Sequence, residues 1–392
     1  TSGTSNFIAG VNAGNSITSG GNFNVLVGDE AGTAITTGDN NVAVGYAALD
    51  ANTTGTSNIA VGQSALSNNT TGGSLVSVGN DALLANTTGD YNVGIGYQSL
   101  KSNTTGDKNV AVGYQSLKSN TTADYNTAFG DQALESNTTA SNNTAVGYAS
   151  LGANTTGAQN VAVGTNTLSN NTTGSYNNAF GFQAVINNTT GTENIGVGHN
   201  ALLVNTTGAN NVAVGGFALD ANTTASNNTA VGYASLGANT TGASNVATGM
   251  YALLSNTTAN NNTANGYLAL RYNTTGADNT AVGALALDAN TTGSENTAVG
   301  KTALGGNTTG TRNVCVGSDA MINSSTGSDN TAVGYGALQI STGGDNTATG
   351  SYALFNNTGT ANTAFGTNAL KGMTSGSSNT SLGYNAGNYA VL

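Results

Sequence analysis

Asn109-Val110-Ala111-Val112-Gly113-Tyr114-Gln115-Ser116-Leu117-Lys118-Ser119-Asn120-Thr121-Thr122 is one copy of the stretch from which the whole chain is built. Its glycine sets the register. Glycine recurs every 17 residues from Gly28 through Gly45, Gly62 and Gly79 to Gly334, which makes 19 copies. Gly10 precedes that run by 18 residues, and Gly350, Gly366 and Gly383 follow it at spacings of 16, 16 and 17. The 392 residues are thus 23 copies of one unit and little else. A short fixed period that fills a chain marks a solenoid, in which one repeat makes one coil and repeat number sets length.

Counted from its glycine, the unit reads as follows. Position −4 is Asn in 22 of the 23 units, with Leu75 the exception. Positions −3 and −1 are mostly Val, Ile or Thr, with Phe129, Phe180 and Phe365 among them; −2 is usually Ala. Such a short β-branched run suits a strand. The glycine ends it where a positive φ or a close backbone approach is required. Tyr-x-Ala-Leu predicts a second short strand with Leu turned inward. Asn-Thr-Thr-Gly predicts a turn, because Asn and Thr bond the local backbone and Gly accepts the left-handed conformation. Stacked at about 4.8 Å per coil, 23 coils give a parallel β-solenoid, a rod roughly 110 Å long.

Stacking sets every residue above its own copy. The Asn at −4 then forms a ladder: Asn41, Asn58, Asn92, Asn109, Asn126, Asn143 and Asn160 in the first half of the chain. Amides stacked in this way hydrogen-bond along the rod, which explains a strictly kept polar residue without chemistry. Val-Ala-Val is apolar on both faces, and a strand buried on both faces reads as a continuous apolar run. A lone thin solenoid exposes one of those faces. The expectation is therefore a homo-oligomer, most simply a parallel trimer packed side by side.

The repeat is regular over 41–344 and degenerate over 1–40 and 345–392 of what reads as a single solenoid domain. In the first and last coils Gly14, Gly32 and Gly387 replace the Leu at +4. Ala140 to Ala158 and Ala225 to Ala243 are identical, five units apart. An open solenoid end exposes unpaired backbone groups, and charge and Pro, the usual blocking devices, are nearly absent near both ends. End-to-end stacking into a filament is thus a second mode of self-association to expect. Thr1 falls within a repeat and there is no initiator Met, which predicts a processed or truncated product whose signal or anchor lies elsewhere.

Composition excludes several classes of function. Charged residues are 6% of the chain and net charge is −11, with no basic patch, so the footprint of a nucleic-acid binder is missing. No apolar run approaches the ~20 residues of a membrane span. One Cys excludes an intrachain disulfide framework. Catalysis needs unlike groups converging in a pocket. The single His, His199, sits in the variable +1 slot and reads as a surface side chain, while Cys315 occupies the small −2 slot and reads as core. The acids, such as Asp50, Asp90, Asp107 and Asp288, fall in turns without a fixed slot, so a metal stack is not expected. Gly94-Ile95-Gly96 and Gly196-Val197-Gly198 open no helix and are not nucleotide fingerprints. No enzyme, cofactor or metal site is predicted.

Asn-Val-Ala-Val-Gly with a small residue three places on resembles the head repeats of trimeric autotransporter adhesins. The longer Asn143 to Gly157 form is similar to arrays in tail-fibre-like proteins of bacteria and phages. The resemblance implies a left-handed β-roll of three intertwined chains, outside the cell, at the cell surface or on a virion fibre, presented to a host surface or glycan. The 17-residue unit is longer than the adhesin head repeat, and the difference lies in Asn-Thr-Thr-Gly.

Two surface features remain. Asn-Thr-Thr occurs in 16 consecutive units, and each copy is formally an N-glycosylation sequon: Asn52, Asn69, Asn86, Asn103, Asn120, Asn137 and Asn154 in the first half. The plain reading is that Asn and Thr are turn formers. Stacked Thr columns also resemble those of ice-binding β-solenoids, although adjacent Thr residues in a strand point to opposite faces. The sequence therefore predicts a structural fibre or adhesin shaft whose outward positions +1, +2, +5 and +6 carry any multivalent contact. A receptor-binding tail-fibre segment is the alternative and ice binding a minor one. The tyrosines at +1 (Tyr46, Tyr97, Tyr114, Tyr148, Tyr233 and Tyr335) would form a partial aromatic stripe.

Overall fold

The computed structural model describes residues 3–388. The chain is an all-β parallel β-solenoid with one 17-residue repeat per coil, and no helix occurs among the described residues. It divides into two compact units, Thr1–Asn194 and Ile195–Leu392. The first carries eleven strands, β1 (Phe7–Ala9) to β11 (Asn178–Phe180). The second carries twelve, β12 (Ile195–Val197) to β23 (Thr380–Leu382). Each strand is three residues long and pairs in parallel with the next in its unit. The register is exact between equivalent positions, as in Val110↔Thr127, Ala111↔Ala128 and Val112↔Phe129.

Only one strand forms per coil. The expected second strand at Tyr-x-Ala-Leu is instead a run of turns. In the coil of Gly113, Gln115 has φ 54° and Leu117 has φ 48°, and most other coils repeat this alternation at +2 and +4. The backbone partners explain it. Gln115 N–H donates to Tyr97 O of the preceding coil (2.9 Å), and Leu117 N–H donates to Ala133 O of the following one (2.9 Å). Between them the Ser116 N–H closes a turn onto Gly113 O of its own coil at 3.4 Å, so the left-handed residues at +2 and +4 aim their N–H groups at the coils before and after and each finds a carbonyl without a pleat. A left-handed conformation costs a non-glycine residue about 1–2 kcal/mol. Complete burial of Leu117 returns about 1.5–3 kcal/mol.

The register glycine satisfies both of the reasons expected for it. Gly113 has φ 138°, and a Cβ there would lie 2.4 Å from Gly130 O. The core is a thin column of Ala at −2, Ala or Ser at +3 and Leu at +4, nearly all without solvent exposure. The N-terminal coils reach the same filling by exchange. Leu26 occupies the −2 slot and Ile35 the +7 slot, and a Cβ on Gly32 would fall 2.9 Å from Leu26 Cδ2 and 2.8 Å from Ile35 Cδ1. There the glycine at +4 makes room for a large residue arriving from the strand.

Candidate functional site

Because the coil repeats, its functional surfaces are columns of equivalent side chains. Their placement follows from the strand. In nearly every strand the middle residue is fully buried while its two neighbours point outward. The outward columns at −3 and −1 are half exposed: Val44 36%, Ile95 37% and Phe129 57% in the first unit, Val282 37%, Val314 40% and Phe365 56% in the second. None of the 23 strands has a charged residue at either outward position. The charged side chains sit at +1, +2, +5, +11 and +12 instead.

Two asparagine columns line the coil, both buried. Asn41, Asn58, Asn92, Asn109, Asn126, Asn143 and Asn160 have no exposed surface. Their side chains bond chiefly to backbone. Asn109 Oδ1 accepts the Asn126 N–H of the next coil at 3.0 Å, and Asn109 Nδ2 donates across its own coil to Ala123 O at 2.7 Å. A direct amide-to-amide bond along this column is a longer addition, as from Asn109 Nδ2 to Asn92 Oδ1 at 3.2 Å.

The second column is made by the sequon asparagines. Asn52, Asn69, Asn86, Asn103, Asn120, Asn137 and Asn154 are completely buried. Asn120 Nδ2 donates to Asn103 Oδ1 at 2.9 Å and to Ala123 O at 3.0 Å, and the same pair of bonds recurs at Asn137 and Asn154. This is the true amide-to-amide ladder. In the folded coil those nitrogens have no access to solvent, and from Asn69 onward both hydrogens are used, so a glycan on them is incompatible with this packing. Thr at +8 is half-buried, and its hydroxyl is committed to the next coil, as in Thr121 Oγ1 to Thr138 O at 3.1 Å. Thr at +9, for example Thr122, is exposed. The Thr-Thr pair lies in a bend, so it presents one open Thr column rather than two.

The remaining sequence candidates resolve individually. Cys315 is buried in the strand Val314–Val316, and burial drives its thiol far above the usual range. His199 meets Phe217 edge-on with ring centroids 5.0 Å apart. Asp90, Asp107 and Asp124 cap backbone: Asp107 Oδ1 accepts the Asp90 N–H and Asp124 Oδ1 the Asp107 N–H, both at 2.7 Å. Among the described residues no three His, Cys, Asp or Glu side chains group as metal ligands. Among them, too, no helix is long and apolar enough to cross a membrane. The tyrosines at +1 form local clusters, because +2 also carries rings. Tyr97 and Tyr114 stack at 5.5 Å, whereas Tyr233 meets Phe217 and Tyr251, and Tyr335 meets Tyr352, edge to face.

Neither a protein-family model nor a curated protein matches this chain. What the surface can do must therefore be argued from its own chemistry. Each unit offers an uncharged outward sheet face, flanked by the variable slots that carry the charges and most of the remaining rings.

Proposed function

We propose that the chain is an extracellular structural element, the shaft of a fibre or adhesin, that self-associates side by side through the outward sheet face. The observation that carries this reading is the uncharged, half-exposed pair of columns at −3 and −1. Three residues across and about 4.8 Å per coil give each unit about 500 Å² of such face. Apolar side chains fill 19 of the 22 outward positions in the first unit and 13 of the 24 in the second, where Thr takes most of the rest, and apolar patches of more than a few hundred Å² mark interaction sites. The occupant is a second copy of the chain, because a face ruled at a 17-residue period is matched in register along its length only by another face with the same period. Copies related by a rotation axis close into a small assembly, a parallel trimer in the form that the resemblance of the repeat implies. The function is then mechanical: a hydrogen-bonded stack of coils that packs against its copies and displays the variable ring-bearing slots many times over, which multiplies weak contacts.

The test is the sedimentation behaviour of the full chain beside Val112→Lys and Val282→Lys. Each substitution places one ammonium on the face without touching the core. The parent is expected as an oligomer, and the variants as species shifted towards monomer. Unchanged association in both variants would remove this face from the interface.

A further inference from the structure

The ring-bearing slots are not uniform. In the second unit Phe217, Tyr233 and Tyr251 come from three consecutive coils and meet edge to face, with centroids 5.8 and 5.6 Å apart and interplanar angles of 75° and 86°. Beside them the +5 slot holds Gly237, between Asp220 in the coil before and Leu254 in the coil after. The missing side chain leaves a groove of about 400 Å³ lined by these residues. Asp220 is directed into it: a Cβ built on Gly237 would lie 3.4 Å from Asp220 Oδ1 and 3.2 Å from Leu254 Cδ1. The carboxylate is half-buried, and burial raises its pKa against the lowering effect of its own N–H and that of Ala221. No Lys or Arg among the described residues pairs with it.

The rest of the molecule indicates what such a corner takes. Tyr352 and Phe355 form a similar edge-to-face corner, with centroids 5.3 Å apart. There the chain supplies its own cation: Lys371 Nζ, from the +5 slot of the next coil, sits 4.6 Å from the Tyr352 centroid and 5.8 Å from that of Phe355. Arg271 lies over Tyr272 in the same way, 4.6 Å from its centroid, while Lys108 donates to the Tyr125 hydroxyl at 3.1 Å. The groove at Gly237 has three rings and a carboxylate, with His199 against the outer ring, but no Lys or Arg of its own among the described residues. A ring face attracts a cation electrostatically, and a partly desolvated carboxylate strengthens the site.

We propose that the groove of Phe217, Tyr233, Tyr251 and Asp220 over Gly237 binds an organic ammonium, an alkylated or primary amine on a short apolar stem. The ammonium lies against the rings and pairs with Asp220, and the stem runs along the groove past Gly237 beside Ala238 and Leu254. This inference does not rest on self-association of the sheet face.

The identical segments 140–158 and 225–243 provide an internal control. Tyr148 and Gly152 repeat Tyr233 and Gly237, but their flanking +2 and +5 slots hold Gln132, Glu135, Asn166 and Ser169, without rings. Calorimetric titration of the full chain with choline, with butylammonium, and with dimethylbutanol, the uncharged carbon isostere of choline, tests the proposal. Both ammonium probes are expected to bind once per chain with Kd on the order of 1 mM, and the isostere at least tenfold more weakly. Asp220→Asn removes the carboxylate charge that faces the ammonium and should weaken choline about tenfold. Gly237→Leu should abolish binding, while Gly152→Leu, the same change in an identical segment, should leave it intact and report any general cost to the fold. Equal binding of the isostere, a methyl glycoside that binds in place of choline, or choline binding that survives Gly237→Leu would overturn the assignment, as would absence of saturable binding.

Discussion

Replacing Asn126 by Ala removes one rung of the −4 column and allows a worked magnitude. Asn126 Oδ1 accepts the Asn143 N–H at 2.9 Å, and Asn126 Nδ2 donates to Ala140 O at 3.0 Å. Without Oδ1 the Asn143 N–H, in a residue with no exposed surface, has no acceptor, at a cost of about 1–3 kcal/mol. Ala140 O keeps the Asn137 Nδ2 bond at 2.9 Å, so the second loss is nearer the ordinary net value of about 1 kcal/mol. The total is about 2–4 kcal/mol. In a solenoid such a loss opens neighbouring coils before it unfolds the chain. Amide hydrogen exchange is therefore the assay, and protection around Thr127 and Thr144 should fall by about 30- to 700-fold. Asn126→Leu orphans the same Asn143 N–H but should lose less, since Leu75 fills this slot natively and fully buried, so a Leu side chain leaves no void there. Asn126→Asp keeps an acceptor for Asn143 but sets its second oxygen against Ala140 O. Its carboxyl would titrate above the ordinary value of about 4 in the folded state, so its stability is retained below that pH and lost as pH rises through the raised value. Unchanged protection in Asn126→Ala, or parent-like protection of Asn126→Asp at neutral pH, would refute this reading of the column.

Gly113→Ala should be more damaging, because its Cβ would meet Gly130 O at 2.4 Å in a residue held at φ 138°; a loss of about 3 kcal/mol or more is expected in exchange or thermal unfolding. Ala111→Leu overpacks and Leu117→Gly leaves a void, but the pair reproduces two of the three positions exchanged at Leu26, Gly32 and Ile35. A double-mutant cycle should show a favourable coupling of about 1–3 kcal/mol. Asp329 accepts Arg312 Nε at 2.6 Å and Nη2 at 2.8 Å, and the guanidinium holds its carboxyl below the usual range. This contribution is present above the ordinary carboxylate pKa and is lost as pH falls through the lowered one. The pair is exposed, so Arg312→Ala should flatten that acid limb only slightly, and added salt should do the same.

The period, the strand and the stacked core were legible because each follows from which residue recurs at which spacing. The segment through Leu117 was not. A leucine carries no mark of a left-handed φ, and only the hydrogen bonds to the coils above and below make that conformation pay. Asn120 was misread for a different reason. Asn-Thr-Thr is at once a turn former and a formal sequon, and both readings place the residue at the surface. The signal that separates them was present: Asn at +7 is held through 16 consecutive coils while +5 and +6 beside it vary. A strictly held polar residue among free neighbours is what a buried ladder requires, by the same argument that identified Asn109. The Gly237 groove was invisible at the level of the repeat, since an identical segment at Gly152 lacks it. It arises from Phe217, Asp220 and Tyr251 in adjoining coils.

Sedimentation equilibrium of the full chain, at neutral pH and moderate salt, tests the central claim most directly. The account predicts an assembly at a whole multiple of the 38.3 kDa chain mass, three copies for the parallel trimer, that dissociates on Val112→Lys. A parent chain that stays at 38.3 kDa across the accessible concentration range would contradict it.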